Sequence, residues 1–284
     1  MIAFVGSVFS TWYHFAGRKH PDNHVALNVV LYTPQGDYWA MTERGRHSQA
    51  RSSSRFRIGP SMVQRGDDGM VIDFNEIAPP FPPGRLRPRR LRGRIVLTPR
   101  LECGTTFALD AEGRHRWWPV APAARVRVES DVLAGGAWEG SGYHDLNWGT
   151  RPLETDFRGW DWSRGQTPDG GAMVLYDARL RDGTRRNLAL RFSGDGAPPV
   201  AFEVPGRQPL KRGWWGVEGG IACDADSHPR ILRALEDTPF YTRSVVETEI
   251  GGEKRSMLHE TLDCDRLANP VVRLMLPFRM PRRA

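Results

Sequence analysis

The chain has 284 residues, 39% of them hydrophobic and 26% charged, which is enough to bury a core without disulfides or structural metals. No stretch approaches the ~18 apolar residues of a membrane-spanning helix, and the composition excludes collagen, coiled coil and disorder. The net charge is +7, carried by 37 Arg and 3 Lys, and +6 of it falls in residues 1–140; such a balance admits nucleic acid, an anionic membrane surface or no partner at all.

In chain order, Ile2–Phe9 is apolar but short and lacks the basic start of a signal peptide, so it reads as a first strand. Val25–Tyr32 reads as a second, more fully buried one. Met70, Ile72 and Phe74 alternate with polar neighbours, as a half-buried strand does. The Pro-rich stretch Pro79–Pro88 interrupts any sheet and is expected to be a surface loop. That loop displays six arginines in ten positions, Arg85, Arg87, Arg89, Arg90, Arg92 and Arg94.

In Ala124–Val132 the small and apolar residues fall on one face and Arg125, Arg127, Glu129 and Asp131 on the other. Ala172–Leu180 and Leu188–Phe192 alternate likewise, joined by a tight turn at Asp182-Gly183. Arg230–Leu235, begun by Pro229 and stopped before Pro239, is the one short helix expected. Val245–Ile250 and Lys254–Leu262 form a hairpin over Gly251-Gly252, and Val271–Leu276 reads as a last buried strand. The fold predicted is all-β, a sandwich or barrel. The length favours two domains, 1–152 and 153–284, divided near Thr150–Asp156.

Three cysteines, Cys103, Cys223 and Cys264, are odd in number and far apart, which points to a reduced, cytosolic chain without a zinc site. Asp224, Asp226 and His228 lie on one short segment and make a poor metal site, so a solvated turn is expected and no metal is assigned. No phosphate-binding loop, dinucleotide fingerprint or nucleophile elbow occurs. The Arg85–Arg94 run lacks the aromatics and recognition helix of a nucleic-acid binder; as a functional surface it suits anionic lipid headgroups better.

The densest polar run is Tyr143-His144-Asp145-Leu146-Asn147-Trp148-Gly149, followed by Trp160-Asp161-Trp162. In extended chain Tyr143, Asp145 and Asn147 point one way, and His144, Leu146 and Trp148 the other. An acid between a phenol and an amide, ringed by indoles, suits a general acid, because burial among aromatics disfavours the carboxylate and keeps a proton available. The same residues also suit a satisfied polar corner, and residue types alone do not separate the two. Upstream, His115 and Trp117 share a strand face, either as site or as packed core. Trp214 and Trp215 suit a cavity wall or a core plug equally.

As a set, these motifs resemble the carotenoid 1,2-hydratase (hydroxyneurosporene synthase) family. The resemblance rests on His115-Arg116-Trp117-Trp118-Pro119, the Tyr143–Gly149 run and Trp160-x-Trp162. Ile2–Ser10, Asn23-His24 and Trp39–Arg44 are similar to the short members from purple phototrophic bacteria. The resemblance covers most of residues 1–165. It implies two lipocalin-like antiparallel β-barrel or sandwich halves enclosing an apolar cavity. It further implies cofactor-free addition of water across the terminal C1–C2 double bond of an acyclic carotene such as neurosporene or lycopene.

On that resemblance Asp145 is the general acid, and Trp117 and Tyr143 turn π faces to the cation. His115 handles water or returns the proton. Asn147 orients Asp145, and Trp148, Trp160 and Trp162 line the polyene slot. One departure is Leu146, where many relatives carry His; it is expected to be a packing position facing away from Asp145. Docking at the cytoplasmic membrane surface through the Arg run is expected. Other carbocation or cyclisation chemistry on the same scaffold, and a non-catalytic carotenoid or lipid carrier, are the alternatives.

Overall fold

The computed structural model describes residues 1–80 and 86–283. The first strands are β1 (Ile2–Val5), β2 (Val25–Thr33), β3 (Gly36–Arg44), β4 (Gln49–Arg51), β5 (Arg55–Ile58), β6 (Ser61–Gly66) and β7 (Gly69–Ala78). Next come β8 (Arg89–Leu101), β9 (Phe107–Ala108), β10 (His115–Ser130), β11 (Ala137–Gly149), β12 (Phe157–Gln166), β13 (Ala172–Leu180) and β14 (Arg185–Phe192). The remainder are β15 (Val200–Ala201), β16 (Arg207–Pro209), β17 (Gly220–Ala222), β18 (Arg230–Asp237), β19 (Tyr241–Ile250), β20 (Glu253–Asp263) and β21 (Arg282–Arg283). Four short helices accompany them: α1 (Thr11–Phe15), α2 (Leu153–Asp156), α3 (Cys264–Ala268) and α4 (Pro270–Arg279).

The protein is all-β. One sheet runs β1-β2-β3-β21, a second β11-β10-β8-β7-β6-β5-β4 with β9 on β10, and a third β15-β14-β13-β12-β20-β19-β18; β16 and β17 pair separately. The β13–β14 and β19–β20 hairpins turn where Asp182-Gly183 and Gly251-Gly252 predict. Asp224 caps the latter turn, accepting from Gly251 N–H at 3.1 Å and Gly252 N–H at 2.8 Å.

By packing, the chain forms two compact units, Met1–Pro99 with Ala124–Gly142 and Arg273–Ala284, and Arg100–Ala123 with Tyr143–Val272. A single cut at residue 152 does not describe this division, because the long strands β10 and β11 carry the chain through both units. The core of the first unit gathers Val25, Leu27, Val29, Ile58, Phe74 and Leu91. That of the second gathers Met173, Leu175, Ile221, Val246, Ile250 and Met257. The Asn23-His24 and Trp39–Arg44 motifs serve the first unit. Buried Glu43 joins His24 Nδ1 at 2.8 Å and also pairs with Ser10 and Arg282, while Arg44 pairs with buried Glu76 at 2.7 Å.

Four sequence expectations differ from the structure. Ile2–Phe9 is a strand only to Val5, because Gly6 turns the chain at φ +69 and a Cβ there would lie 2.8 Å from Pro21. Arg230–Leu235 is not helical. It belongs to β18, whose two bulges leave Leu232 and Leu235 outside the pairing with β19; these extra residues break the two-residue period and imitate helical spacing.

Val271–Leu276 is not a buried strand but most of α4. Pro270 opens that helix and Asn269 Oδ1 accepts the Val271 N–H at 2.9 Å, a start signal that a short apolar run obscures. Pro277 deprives the Arg273 carbonyl of its helical donor, and the Thr11 hydroxyl supplies one at 2.9 Å. Finally, Arg89–Arg94 lie in β8 rather than a loop; Arg94 Nε meets Asp73 at 2.7 Å, and Arg87 precedes the strand. Arg85 lies outside the described residues.

Candidate functional site

The site is built on β10, β11 and β12 within the second unit. Along the start of β10 every second residue is buried, so His115 and Trp117 turn to the same side. Trp117 is fully buried, its ring 5.5 Å from Phe107 and 5.6 Å from Tyr176. On β11 the alternation places Tyr143, Asp145 and Asn147 together, as the sequence predicts. The Trp117 indole N–H is shared between the Tyr143 hydroxyl at 3.2 Å and Asp145 Oδ2 at 3.0 Å. Asn147 Nδ2 donates to the same Oδ2 at 3.2 Å, and the Tyr143 hydroxyl bonds to Asp145 as well.

The Asp145 carboxyl therefore meets three neutral donors and, among the described residues, no cation. Burial pushes it up to about 6, and the negative charge of Glu260 adds to the rise, while the bonds from Trp117, Tyr143 and Asn147 oppose it. Burial and the neighbouring Asp145 hold the Tyr143 hydroxyl well above its ordinary value, so it stays a phenol. Tyr176 is raised for the same reasons. A carboxylic acid titrating near neutrality among uncharged aromatics can give up a proton and take it back.

Trp160 and Trp162 share one face of β12. Trp162 lies opposite Tyr176 and Glu260 in register, with its ring 5.2 Å from Tyr143. Its indole N–H is buried without an acceptor among the described residues, a state that costs about 1–3 kcal/mol. Trp160 packs 6.2 Å from Tyr176 and 6.5 Å from Phe157. Trp148 is exposed and by alternation faces away from Asp145, as does exposed Leu146.

His115 is not in the cluster around Asp145. Its Nε2 lies 2.8 Å from Asp156 Oδ2, its ring 4.8 Å from Phe157, and its backbone N–H donates to Asp110 at 2.7 Å. Gly149 ends β11 against this ring, and a Cβ there would lie 2.5 Å from His115 Nδ1.

Sequence reasoning missed Asp110, Asp156, Phe157, Tyr176 and Glu260. Tyr176 and Glu260 sit in strands whose alternation was legible, but their meeting with Trp162 depends on a register between distant segments. Asp156 closes the four-residue helix α2, too short to leave a periodic signal.

A family profile described as carotenoid hydratase CrtC matches residues 1–284. The acyclic carotenoid 1,2-hydratase of Thiocapsa roseopersicina is 46% identical over 290 residues, spanning 99% of this chain and 68% of that relative. The protein of the same name from Cereibacter sphaeroides is 41% identical over 284 residues, spanning 100% of this chain and 98% of its own. Among solved structures, an AttH protein from Nitrosomonas europaea superposes with a TM-score of 0.54 at 13% identity, over 85% of this chain and 80% of that one. That likeness concerns the lipocalin-like fold alone.

Proposed function

The chain belongs to the carotenoid hydratase CrtC family, and from that premise we propose that it adds water across the terminal C1–C2 double bond of an acyclic carotene to give a tertiary 1-hydroxy carotenoid. The observation that carries the mechanism is Asp145, raised to about 6 and held by neutral donors. Because Trp117 and Asn147 both donate to Oδ2, the proton resides on Oδ1. Its transfer to C2 makes a C–H bond and breaks the O–H bond, leaving a tertiary cation at C1. The three donors then hold the carboxylate formed, and Trp117 and Tyr143 offer π faces to the cation, worth roughly 2 kcal/mol or more each where water is excluded. Water bonds to C1 through oxygen and loses one proton, which returns to Asp145. Only H2O is added, and the balance needs no cofactor.

The unsatisfied Trp162 N–H beside Tyr143 suits the oxygen of the incoming water. Asn147 orients Asp145. Trp160 and Trp162 border the acid and would line the polyene slot; Trp148, on the opposite strand face, is better suited to its outer rim. His115 is assigned to positioning through Asp156, with proton return as the alternative task. Substrate comes from a membrane, and the exposed Arg89, Arg90 and Arg92 on β8, with Arg87, would add attraction to an anionic cytoplasmic surface, about 1 kcal/mol for each basic residue. No helix among the described residues is long and apolar enough to cross a membrane, and the three free, buried cysteines suit a reducing compartment.

The test is expression in a carotene-accumulating bacterial host, with chromatography and mass spectrometry of the pigments. The product expected is heavier by one water, and Asp145→Asn abolishes it. Bound carotene of unchanged mass would indicate a carrier, and an isomerised or cyclised product of unchanged mass a different carbocation enzyme.

A further inference from the structure

Helix α4 turns an apolar stripe to solvent. Val271, Leu274, Met275 and Phe278 recur at i, i+3, i+4 and i+7, the spacing of one helical face. All four are exposed, Leu274 at 65% and Phe278 at 83%. The inner side of the helix is already satisfied, since Leu276 and Met280 pack with Ala26, Met41, Trp39 and Phe4. Beside the stripe α1 exposes Phe15 at 67% and Trp12 at 37%. The two helices are tied together by the Thr11 hydroxyl on the Arg273 carbonyl at 2.9 Å and by Trp12 Nε1 on the Met280 carbonyl at 3.3 Å.

The two segments carry only basic charge. Residues 273–284 contain four arginines, of which Arg282 is paired with buried Glu43, and residues 11–20 contain Arg18 and Lys19, with no Asp or Glu in either segment. An amphipathic helix whose apolar face looks outward within a basic frame has the features of an element lying in a lipid interface. The same frame opposes self-association, because two copies joined through this face would bring like charges together.

We propose that α1 and α4 form a monotopic docking surface that seats Phe15, Leu274 and Phe278 among the acyl chains of a bilayer carrying anionic headgroups. Basic residues of the two segments meet those headgroups, and the Arg run on β8 is not part of the surface. The proposal rests on no step of the hydratase mechanism.

The experiment is co-sedimentation of the full chain with carotene-free vesicles of phosphatidylcholine, with and without phosphatidylglycerol. Wild type is expected to bind the anionic vesicles and to lose part of that binding in high salt. Leu274→Ser/Phe278→Ser should lower the partition coefficient by about tenfold or more, with an unchanged circular dichroism spectrum and melt, since both side chains project into solvent. Leu274→Met/Phe278→Trp should bind as wild type. Wild-type chain that ignores anionic vesicles, or a serine variant that binds as wild type does, would overturn the proposal. So would light scattering that finds a wild-type dimer split by the serine variant, because the surface would then cover a second copy.

Discussion

Two aspartates on the second unit show how surroundings set the task of one chemical group. Asp161 lies on β12 and is buried. Arg207 reaches its Oδ2 at 2.9 Å, with Arg179 on the same oxygen at 2.5 Å, and Thr261 donates to Oδ1 at 2.7 Å. His259 follows 3.7 Å away, itself joined to Ser163 at 2.8 Å. Burial pushes Asp161 up, but His259 and the two guanidinia more than offset it and hold the carboxyl below its ordinary value. Asp145, given only neutral donors, goes the opposite way. Ser163, His259 and Asp161 resemble a hydrolytic triad in residue type, yet all three are buried and burial lowers the histidine to about 4. Cations make a strut of one carboxyl; uncharged indole, phenol and amide make an acid of the other.

The largest effect expected is on Asp145. Asp145→Asn keeps the bonds to Trp117 and Asn147 within reach but removes the proton, and hydration should fall by about 10³-fold or more, with the melt unchanged or raised. Asp161→Asn should behave in reverse. It strands Arg179 and Arg207 beside a neutral group, and breaking such a buried pair costs about 3–5 kcal/mol, measurable by denaturant unfolding. If Asp161→Asn destroyed activity in a chain of native stability, the division between strut and acid would fail.

The contrast was only partly legible in the sequence. Strand alternation placed Tyr143, Asp145 and Asn147 on one face, because a period of two fixes sides without reference to the rest of the fold. It also sets Asp161 opposite Trp160 and Trp162, but it could not tell that arginines from β13 and β16 meet the carboxyl there. Those partners are 18 and 46 residues distant, and only the register of β12 with β13 and the course of β16 bring them in. The hairpins were legible because Asp-Gly and Gly-Gly carry their turn chemistry locally. β18 and α4 were not, since bulges in the one imitate a helical period and the short apolar run of the other reads as a buried strand. Trp162 was named for its ring, while the missing acceptor of its N–H is a property of packing alone.

Titration sharpens the same comparison. Asp145, with its folded value raised, binds more proton in the native state than in the unfolded one between the ordinary carboxylate range and about 6. Its contribution to stability is present below that window and is lost as pH rises through it. Asp161, with its folded value lowered, contributes above the unfolded value and loses that contribution as pH falls through the folded one. The difference in melting temperature between Asp145→Asn and wild type should therefore grow from about pH 4 to about pH 6 and then level. Wild-type kcat/KM should decline above about pH 6 as the acid ionises. A flat profile across that range would remove Asp145 from the proton-donating role.

The smallest and most local test concerns how His115 relates to the acid. Its Nε2 is engaged by Asp156 and its Nδ1 edge lies against Gly149, so any influence on Asp145 passes through the placement of β10 and β11. Gly149→Ala inserts one methyl into that edge, and overpacking of this kind costs about 1–3 kcal/mol. The ring must rotate off Asp156 or push the end of β11 outward, carrying Asn147 and Asp145 with it. If His115 positions, Gly149→Ala lowers kcat by about tenfold or less while the pH at which the rate declines shifts with the disturbed carboxyl, and His115→Ala combined with Gly149→Ala is no worse than His115→Ala alone. Were His115 instead to exchange a proton with water during turnover, His115→Ala would abolish the rate outright and Gly149→Ala would leave the pH profile in place. The double mutant cycle, read in kcat and in the pH profile together, separates the two.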